Sequence, residues 1–538
     1  MACILLVDDE RDQLEIRALL VERAGHQVLC AATPAEALRQ FDSAKVDAIC
    51  MDLRLPTPDD GKALIRSFRE RSPEVRVLVL SGWTDELKGS PEADMIQGVL
   101  QKPIRSERLL ALLGRTAALV LALFVPAMFA APHRFHMARE GEAVAEITMH
   151  APGADWGREG KEASVAEIWV DGSHRSDVVV VGERRPGRYG ILLGRLGPGE
   201  HEVEVRRSSA HSAAGIPLEV AGIDVRPYYP DSAGHRIAAH APFVHARANT
   251  AGRFTDVPLF SYCERTGPAG SDCLQYTVIF SNEDGGTSTR ALMARWGRTT
   301  DIEHVYRVCF DRTGVVSSAI IQTHDHKEVP FEGRREGHHP VLSVVTDNNM
   351  VAAAGAESPL RFHLAPVFVD LSGKSRESAM DDQPWSYGVM AAELEREGKL
   401  RPAGAVDGQK ISHPRNYLYL EAEIGNRQSR LAAQVRLDGE NVWRSAHLGR
   451  ADYAIERSGW IRTAIELPPG TAARQVAEIG FECLTEDNTK LAGECDLRQV
   501  SRAFFLDGGY APGPAFWNLP AGERRFPSGQ TLTFRVDQ

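Results

Sequence analysis

Acidic side chains stand directly after apolar runs near the start of the chain. Asp8 and Asp9 follow the run at residues 3–7, and Asp52 follows the run at residues 47–51. A carboxylate can act as a covalent nucleophile toward phosphorus when nearby positive charge offsets its own charge. Carboxylate oxygens are also the preferred ligands of hard dications. The residue types therefore indicate metal-assisted phosphoryl chemistry.

A hydroxyl and an ammonium group occupy equivalent places later in this part of the chain. Ser81 follows the apolar run at residues 77–80, and Lys102 follows the run at residues 99–101. Both groups can bind phosphoryl oxygens, the hydroxyl as a hydrogen-bond donor and the ammonium as a positive charge. We expect them to belong to the same site as the aspartates.

Short apolar runs alternate here with helical patterns at residues 13–24, 34–40 and 62–71. This alternation is typical of βα units and predicts an α/β doubly wound, parallel sheet. In such a sheet, side chains at the carboxyl ends of the strands converge on one crevice. Several carboxylates in one crevice repel one another unless a dication lies among them, which predicts bound Mg²⁺.

The same stretches resemble the receiver (CheY-like) domain of bacterial response regulators, over residues 1–115. The resemblance is carried in order by Ile4–Glu10, Met51–Pro56, Leu80–Gly82 and Lys102-Pro103. It implies a flavodoxin-like fold with Asp52 as the phosphoacceptor, phosphorylated by a histidine kinase or a phosphotransfer protein. It also implies that Ser81 and Lys102 bind the phosphoryl oxygens. Four groups would hold Mg²⁺: Asp8, directly or through water, Asp9, Asp52 and the backbone carbonyl of Arg54.

Two departures from the family pattern concern the surface that reports phosphorylation. The family usually has an aromatic switch residue three positions before the lysine, and here that position is Val99. The fourth helix is also interrupted, since residues 88–91 read Lys-Gly-Ser-Pro. The departures leave the phosphoacceptor chemistry intact and indicate an output surface that is remodelled or silent.

The length and the net charge of the chain limit which other classes of function are possible. A chain of 538 residues holds about three or four domains of typical size. Its net charge of −11 argues against a nucleic-acid-binding surface. No basic stripe or helix-turn-helix pattern follows residue 115, so the sequence predicts no transcription-factor output.

Residues 116–131 form an apolar segment without a charged side chain. Together with the next residue, we expect this stretch, 116–132, to be a transmembrane or signal-like segment. Spanning a bilayer takes roughly 20 residues, whereas a signal-peptide core takes about 7–15. Arg105, Arg108 and Arg115 precede the segment. The sequence thus predicts a cytoplasmic receiver, an inner-membrane segment and a periplasmic or extracellular C-terminal region. A buried helix in a soluble protein is the alternative interpretation.

The cysteines fit such an arrangement. Cys3, Cys30 and Cys50 lie in or beside receiver strands, where reduced thiols are expected as small buried groups. The later cysteines predict two disulfides that close short loops, Cys263–Cys273 and Cys483–Cys495, with Cys309 left unpaired.

Short strand patterns with Gly- and Pro-rich turns dominate the rest of the chain. They predict a β-sandwich module at 140–225, a β-rich domain at 226–380 and a β-sandwich-like domain at 381–538. The middle domain contains the densest group of His and acidic residues. Asp301, Glu303, His324 and His326 are candidates for a second metal or acid–base site, and ordinary surface histidines are the competing interpretation.

The leading hypothesis is a two-component phosphorelay receiver, a phosphoacceptor rather than a turnover enzyme, tethered to an exported β-rich region. The alternative is a secreted β-rich binding or hydrolytic protein, with a carbohydrate or envelope ligand, to which a receiver is adventitiously fused. A third reading is a soluble enzyme with a phospho-regulated, unassigned activity in residues 226–380.

Overall fold

The structure is a computed structural model that describes residues 3–9, 14, 18, 21, 27–55, 57–81, 87, 90–101, 132–182, 187–247, 250, 254–267, 272–283, 285–355, 358, 360–402, 410–485 and 493–536. The chain divides into two units, Met1–Val125 and Pro126–Gln538. The N-terminal unit is an α/β fold, and the second unit consists mostly of β-sheets.

The apolar runs of the first unit form a five-stranded parallel sheet in the order β2-β1-β3-β4-β5. Its strands are β1 Cys3–Val7, β2 Gln27–Ala31, β3 Ala48–Asp52, β4 Arg76–Ser81 and β5 Gly98–Gln101. Because both faces of such a sheet are covered, the central strands are apolar throughout rather than alternating. This strand order is that of flavodoxin-like folds.

Two helices of the first unit are described, α1 Pro34–Ser43 and α2 Pro58–Arg71. Each begins with a threonine N-cap followed by proline, and α2 has a capping box in which Thr57 and Asp60 satisfy each other's backbone N–H groups. A 3₁₀-helix at Pro91–Met95 follows β4, in the region where the sequence predicts an interrupted fourth helix. The helix predicted at residues 13–24 lies largely outside the described residues.

The second unit begins with two sheets around one apolar core. One sheet has the order β10-β7-β12 and the other β6-β11-β8-β9. Their strands are β6 His133–Met137, β7 Gly141–His150, β8 Ser164–Val170, β9 Ser173–Val180, β10 Gly187–Leu196, β11 Gly199–Arg207 and β12 Glu219–Tyr228.

Two further sheets and three helices follow, with sheet orders β19-β20-β13-β22, where β21 also pairs with β20, and β18-β17-β16-β15-β14-β23. The helices are α3 His235–Ala239, α4 Thr289–Trp296 and α5 Trp385–Arg396, and Arg376–Met380 is a 3₁₀-helix. The strands are β13 Phe243–His245, β14 Pro258–Thr266, β15 Asp272–Phe280, β16 Asp301–Phe310, β17 Val316–Gln322, β18 Glu328–Pro330, β19 Arg335–Glu336, β20 His339–Val344, β21 Val351–Ala352, β22 Arg361–Phe362 and β23 Val367–Phe368.

The C-terminal part contains two antiparallel sheets that share a core. Their orders are β27-β24-β29-β30, where β31 also pairs with β29, and β26-β25-β28-β32. The strands are β24 Tyr417–Arg427, β25 Ser429–Leu437, β26 Trp443–Ser445, β27 Gly459–Glu466, β28 Val476–Thr485, β29 Glu494–Phe504, β30 Trp517–Leu519, β31 Arg525–Pro527 and β32 Thr531–Arg535. Short 3₁₀-helices lie at Pro414–Asn416, Ala451–Tyr453 and Ala473–Gln475.

A buried ion network lies at the strands β24, β27 and β29. The Arg462 guanidinium, with no exposed surface, donates to Asp381 at 2.8 Å and to Glu421 at 3.0 Å. Arg502 donates to the same Glu421 carboxylate at 2.8 Å. Burial disfavours ionisation of Glu421, but the two guanidiniums outweigh it and lower the pKa of this carboxyl to about 2.

The predicted membrane segment and the localisation derived from it are corrected by the structure. Within the described residues, no helix is long and apolar enough to cross a membrane. Residues 116–131, which carried the prediction, lie outside the described residues, and their length falls short of the roughly 20 residues that a span needs. The fold class is therefore an N-terminal α/β fold followed by β-sheets, and the described residues contain no membrane-spanning helix.

One of the two predicted disulfides is wrong. Cys273 is bonded to Cys309, and Cys263 is a buried free thiol. The reason is register, since antiparallel pairing of β15 with β16 places Cys273 directly opposite Cys309. The predicted Cys483–Cys495 disulfide is present.

Candidate functional site

Parallel pairing brings the acidic residues to one edge of the first sheet. Strand β1 lies beside β3, with Val7 in register with Met51. Asp8 and Asp9 follow β1, and Asp52 is the last residue of β3. The acidic residues of both strands therefore meet at the carboxyl edge, as neighbouring parallel strands require.

Asp8, Asp9 and Asp52 form one acidic group. Each offers a carboxylate oxygen, and these oxygens lie within 4.8 Å of one another. Asp8 is buried, with 1 % of its surface exposed, and Asp9 is exposed. Like charges at this separation repel, and a divalent cation among them would offset the repulsion. An all-oxygen donor set open to solvent on one side fits Mg²⁺, which keeps several of its own waters.

Backbone hydrogen bonds hold the segments that carry these side chains. The Asp8 N–H donates to the Ala31 carbonyl at 3.2 Å, and the Leu53 N–H donates to the Leu80 carbonyl at 3.1 Å. The Arg54 N–H donates to an Asp52 carboxylate oxygen at 3.3 Å. The loop after β3 is therefore tied both to the next strand and to Asp52 itself.

Gly61 is a residue of this site that the sequence reasoning missed. It lies in the second turn of α2, and a β-carbon there would be 2.0 Å from the carbonyl oxygen of Leu53. Only glycine permits this close approach of the helix to the loop after Asp52. In the sequence this glycine directly precedes the helical pattern at residues 62–71, and no local signal marks its approach to Leu53.

Three further groups were predicted for this site: Ser81 and Lys102 as phosphoryl ligands, and the Arg54 carbonyl as a Mg²⁺ ligand. The structure describes them only in part. Ser81 is the last residue of β4, whose register with β3 pairs Asp52 with Leu80, but its side chain is not among the described ones. Lys102 lies outside the described residues. The Arg54 backbone follows Asp52 by two residues, as the sequence requires. The roles of these three groups stay predictions.

The residues predicted for a second metal or acid–base site lie in two different environments. Asp301 and Glu303 lie on β16 and are buried, whereas His324 and His326 lie in the exposed turn between β17 and β18. Burial raises the pKa of Glu303, and the neighbouring charge of Asp301 raises it further. An amide hydrogen of Asn349 is donated to Asp301 at 3.0 Å.

Among the described residues, only Asp8, Asp9 and Asp52 form a group of three or more ligands close enough to hold one metal ion. The structure therefore does not bring Asp301, Glu303, His324 and His326 into one such group.

A parallel sheet of flavodoxin-like order with an acidic group at its carboxyl edge is the arrangement that the sequence resemblance implies. The family model of the response regulator receiver domain matches residues 4–114. This part of the chain is a response regulator receiver domain, as the sequence resemblance predicted.

Individual relatives match over the same part of the chain. The alkaline phosphatase synthesis transcriptional regulatory protein PhoP of Bacillus subtilis is 31% identical over 83 residues, covering 15% of this chain and 34% of the relative. The transcriptional regulatory protein GlrR of Escherichia coli is 34% identical over 80 residues, covering 15% of this chain and 18% of the relative. The chain thus spans about a third or less of the length of these relatives.

Among solved structures, a response regulator receiver domain protein from Clostridium thermocellum is 28% identical, with a TM-score of 0.20. The match covers 21% of this chain and 92% of that protein.

Proposed function

We propose that this protein is a two-component phosphorelay receiver in which Asp52 accepts a phosphoryl group from a histidine kinase or a phosphotransfer protein. The observation that carries the proposal is the convergence of Asp8, Asp9 and Asp52 at the carboxyl edge of the sheet, inside the family match. The proposal also includes Mg²⁺ binding by these carboxylates and the Arg54 carbonyl.

The chemistry follows from the residues of this edge. An Asp52 oxygen attacks phosphorus, an oxygen–phosphorus bond forms, and the bond from phosphorus to the donor nitrogen breaks. The donor nitrogen keeps the bonding electron pair and is neutralised by a proton. Bound Mg²⁺ supplies positive charge that offsets the carboxylates and the incoming phosphoryl group. Asp8 and Asp9 position this charge, and we assign Ser81 and Lys102 to the phosphoryl oxygens.

The transferred group changes the charge of the edge and supplies new acceptor oxygens. In the proposal, Ser81 and Lys102 move toward these oxygens and so alter the surface near β4 and β5. The proposal further includes that this receiver is tethered to the β-rich region of the second unit. A carbohydrate or envelope ligand for that region, and the alternative of an adventitiously fused receiver, stay predictions.

The test is phosphoryl uptake by the full chain from acetyl phosphate, measured on Phos-tag gels with Mg²⁺ or with EDTA. We expect uptake by the wild type only with Mg²⁺. Asp9→Asn should reduce uptake at least about tenfold, because it removes one charged ligand of the ion. Uptake that is equally fast in EDTA would overturn the Mg²⁺ assignment.

Asp59→Asn is the matched control, since this carboxylate is in the same unit but 95% exposed and outside the acidic group. It makes the same chemical change as Asp9→Asn. We expect wild-type uptake in this variant, so a loss in Asp9→Asn alone reports the site rather than the net charge of the unit.

A further inference from the structure

A cleft of about 790 Å³ opens in the second unit, beside helix α3 and the strands β14, β15 and β16. Small-molecule sites commonly have volumes of about 300–1,000 Å³. We call it the arginine cleft, because Arg236, Arg265 and Arg335 line it. Neither the receiver chemistry nor the predicted His and acid cluster uses this cleft.

Strand register explains the composition of its floor. Leu274 is paired with Arg265 on one side, and Asp272 is paired with Phe310 on the other. Directly opposed residues share a face of the sheet, and so do residues two apart on one strand. One face therefore presents the apolar side chains of Leu274 and Phe310 next to the charged side chains of Arg265 and Asp272.

Helix α3 is fixed over this face by polar contacts. The Tyr276 hydroxyl donates to the carbonyl of Ile237 at 2.9 Å. Arg236 forms an ion pair with Asp272, and its guanidinium lies 4.7 Å from the centre of the Phe310 ring. The cleft is thus built by the fold, and one of its three arginines is already neutralised.

Among the described residues, the other two arginines have no acidic partner. Arg265 is exposed and forms no ion pair within the described part of the chain. Arg335 donates to the Tyr306 hydroxyl at 2.9 Å and to the His338 carbonyl at 3.2 Å, and neither acceptor is charged. With one carboxylate among three guanidiniums, the lining keeps two uncompensated positive charges in a chain whose net charge is −11.

His240 adds a polar ring to the wall of the cleft. It is 7 % exposed, and its ring centre lies 5.1 Å from that of Phe310 and 5.3 Å from that of His338. Burial first, and then the charges of His338 and other nearby cations, lower the pKa of His240 to about 3, so the ring is neutral at physiological pH. His240 therefore adds no positive charge to the cleft, whereas its arginines do.

We propose that the arginine cleft binds a small organic anion. Its phosphate or carboxylate group is held by Arg265 and Arg335, and its apolar body lies on Leu274 and Phe310. Guanidinium groups suit this role because they bind planar or tetrahedral oxyanions through parallel N–H donors. An apolar floor with a few charged groups at the rim is the usual composition of a ligand site.

The experiment uses isothermal titration calorimetry of the full chain with three probes, phenyl phosphate, benzoate and benzyl alcohol. The protein is first stripped of divalent cations with EDTA and transferred by gel filtration into metal-free, EDTA-free buffer, so that the acidic group of the receiver does not engage phosphate through a metal ion. We expect at least one anion to bind, and at least about tenfold more tightly than the neutral alcohol. The preference between the two anions then identifies the ligand as a phosphate ester or a carboxylate.

Arg265→Gln tests the assignment, because this exposed side chain has no ion pair to lose from the fold. We expect this substitution to weaken the binding of the preferred anion about tenfold, because it removes a hydrogen bond from a charged donor. Arg535→Gln is the matched control, an exposed strand arginine outside the cleft, and should bind as the wild type does. Absence of anion binding in the wild type, or unchanged affinity in Arg265→Gln, would overturn the proposal.

Discussion

Gly61 lies so close to Leu53 that a β-carbon on the glycine would be 2.0 Å from the leucine carbonyl oxygen. Leu53 follows the proposed phosphoacceptor, and its carbonyl belongs to the peptide that leads into Arg54. The obstacle is backbone rather than the end of a flexible side chain, so a larger residue would displace either α2 or the loop. The packing of a helix therefore fixes the geometry of the acidic edge.

Gly61→Ala should slow phosphoryl uptake from acetyl phosphate at least about tenfold, because displacement of the loop moves Asp52 relative to Asp8 and Asp9. The higher helix propensity of alanine, worth about 1 kcal/mol, opposes the damage but does not remove the clash. Uptake rates and thermal unfolding of the full chain measure both effects.

Gly388→Ala is the control for this substitution. Gly388 is also helical, in α5, but a β-carbon there meets a ring carbon of Tyr510 at 3.5 Å, an ordinary contact. We expect unchanged or slightly higher stability and unchanged uptake. A Gly61→Ala variant that takes up phosphate at the wild-type rate would show that the loop tolerates the displacement.

The disulfide between Cys273 and Cys309 predicts a specific peptide map. Digestion without reduction should release a peptide pair joined through these two cysteines, with Cys263 recovered as a free thiol. Mass spectrometry of the oxidised protein makes the assignment directly. Recovery of Cys263 joined to Cys273 would contradict the register of β15 and β16.

Replacing both Cys273 and Cys309 by alanine should lower the free energy of unfolding by about 2–4 kcal/mol, since the bond closes a long loop of the unfolded chain. Denaturant unfolding monitored by a signal of the second unit measures the loss. Cys263→Ala is a poor control because the thiol is buried, so Cys483→Ala with Cys495→Ala serves as the comparison, with the shorter loop expected to give the smaller effect.

Glu421 should make the second unit sensitive to acid. Its folded-state pKa is lowered to about 2 from an ordinary 4.5, so its stabilisation is fully present above pH 4.5 and fades as the pH falls toward 2. The shift corresponds to about 3 kcal/mol. Thermal unfolding measured between pH 2 and 6 should therefore show a steep loss of stability in this window.

Glu421→Gln removes the contribution of Glu421 to this pH dependence. It also leaves the buried Arg462 with one charged partner fewer, at an expected cost of about 3–5 kcal/mol at neutral pH. Glu423→Gln is the matched control, since Glu423 lies on the same strand but pairs with the half-exposed Arg498. Surface pairs contribute about 0–1 kcal/mol. Equal effects of the two substitutions would contradict the role given to the buried network.

The local sequence pattern was sufficient to predict the strands of the receiver. The apolar runs before Asp8, Asp52 and Ser81 are strands β1, β3 and β4, because a run buried on both faces leaves a clear signal. The meeting of Asp8, Asp9 and Asp52 followed from the rule for parallel sheets. The close approach of Gly61 to Leu53 could not be predicted, since it depends on the distance between a helix and a loop.

In the second unit, short strands were predictable and their partners were not. The pairing of Cys273 with Cys309 depends on which strand lies beside β15, and sequence proximity favoured Cys263 instead. Asp301 and Glu303 lie two residues apart on one strand, as their spacing predicts, but His324 and His326 are in a turn that is exposed to solvent. The arginine cleft combines residues from six separate helices and strands, and no local pattern marks such a set.

The most direct measurement locates the phosphoryl group after reaction with acetyl phosphate and Mg²⁺. Borohydride converts an aspartyl phosphate into homoserine, which tandem mass spectrometry assigns to one position. The account predicts homoserine at position 52 in the wild type and in Asp59→Asn, and none in Asp52→Asn. Homoserine at another aspartate of the wild type, or equal labelling of Asp52→Asn, would contradict it.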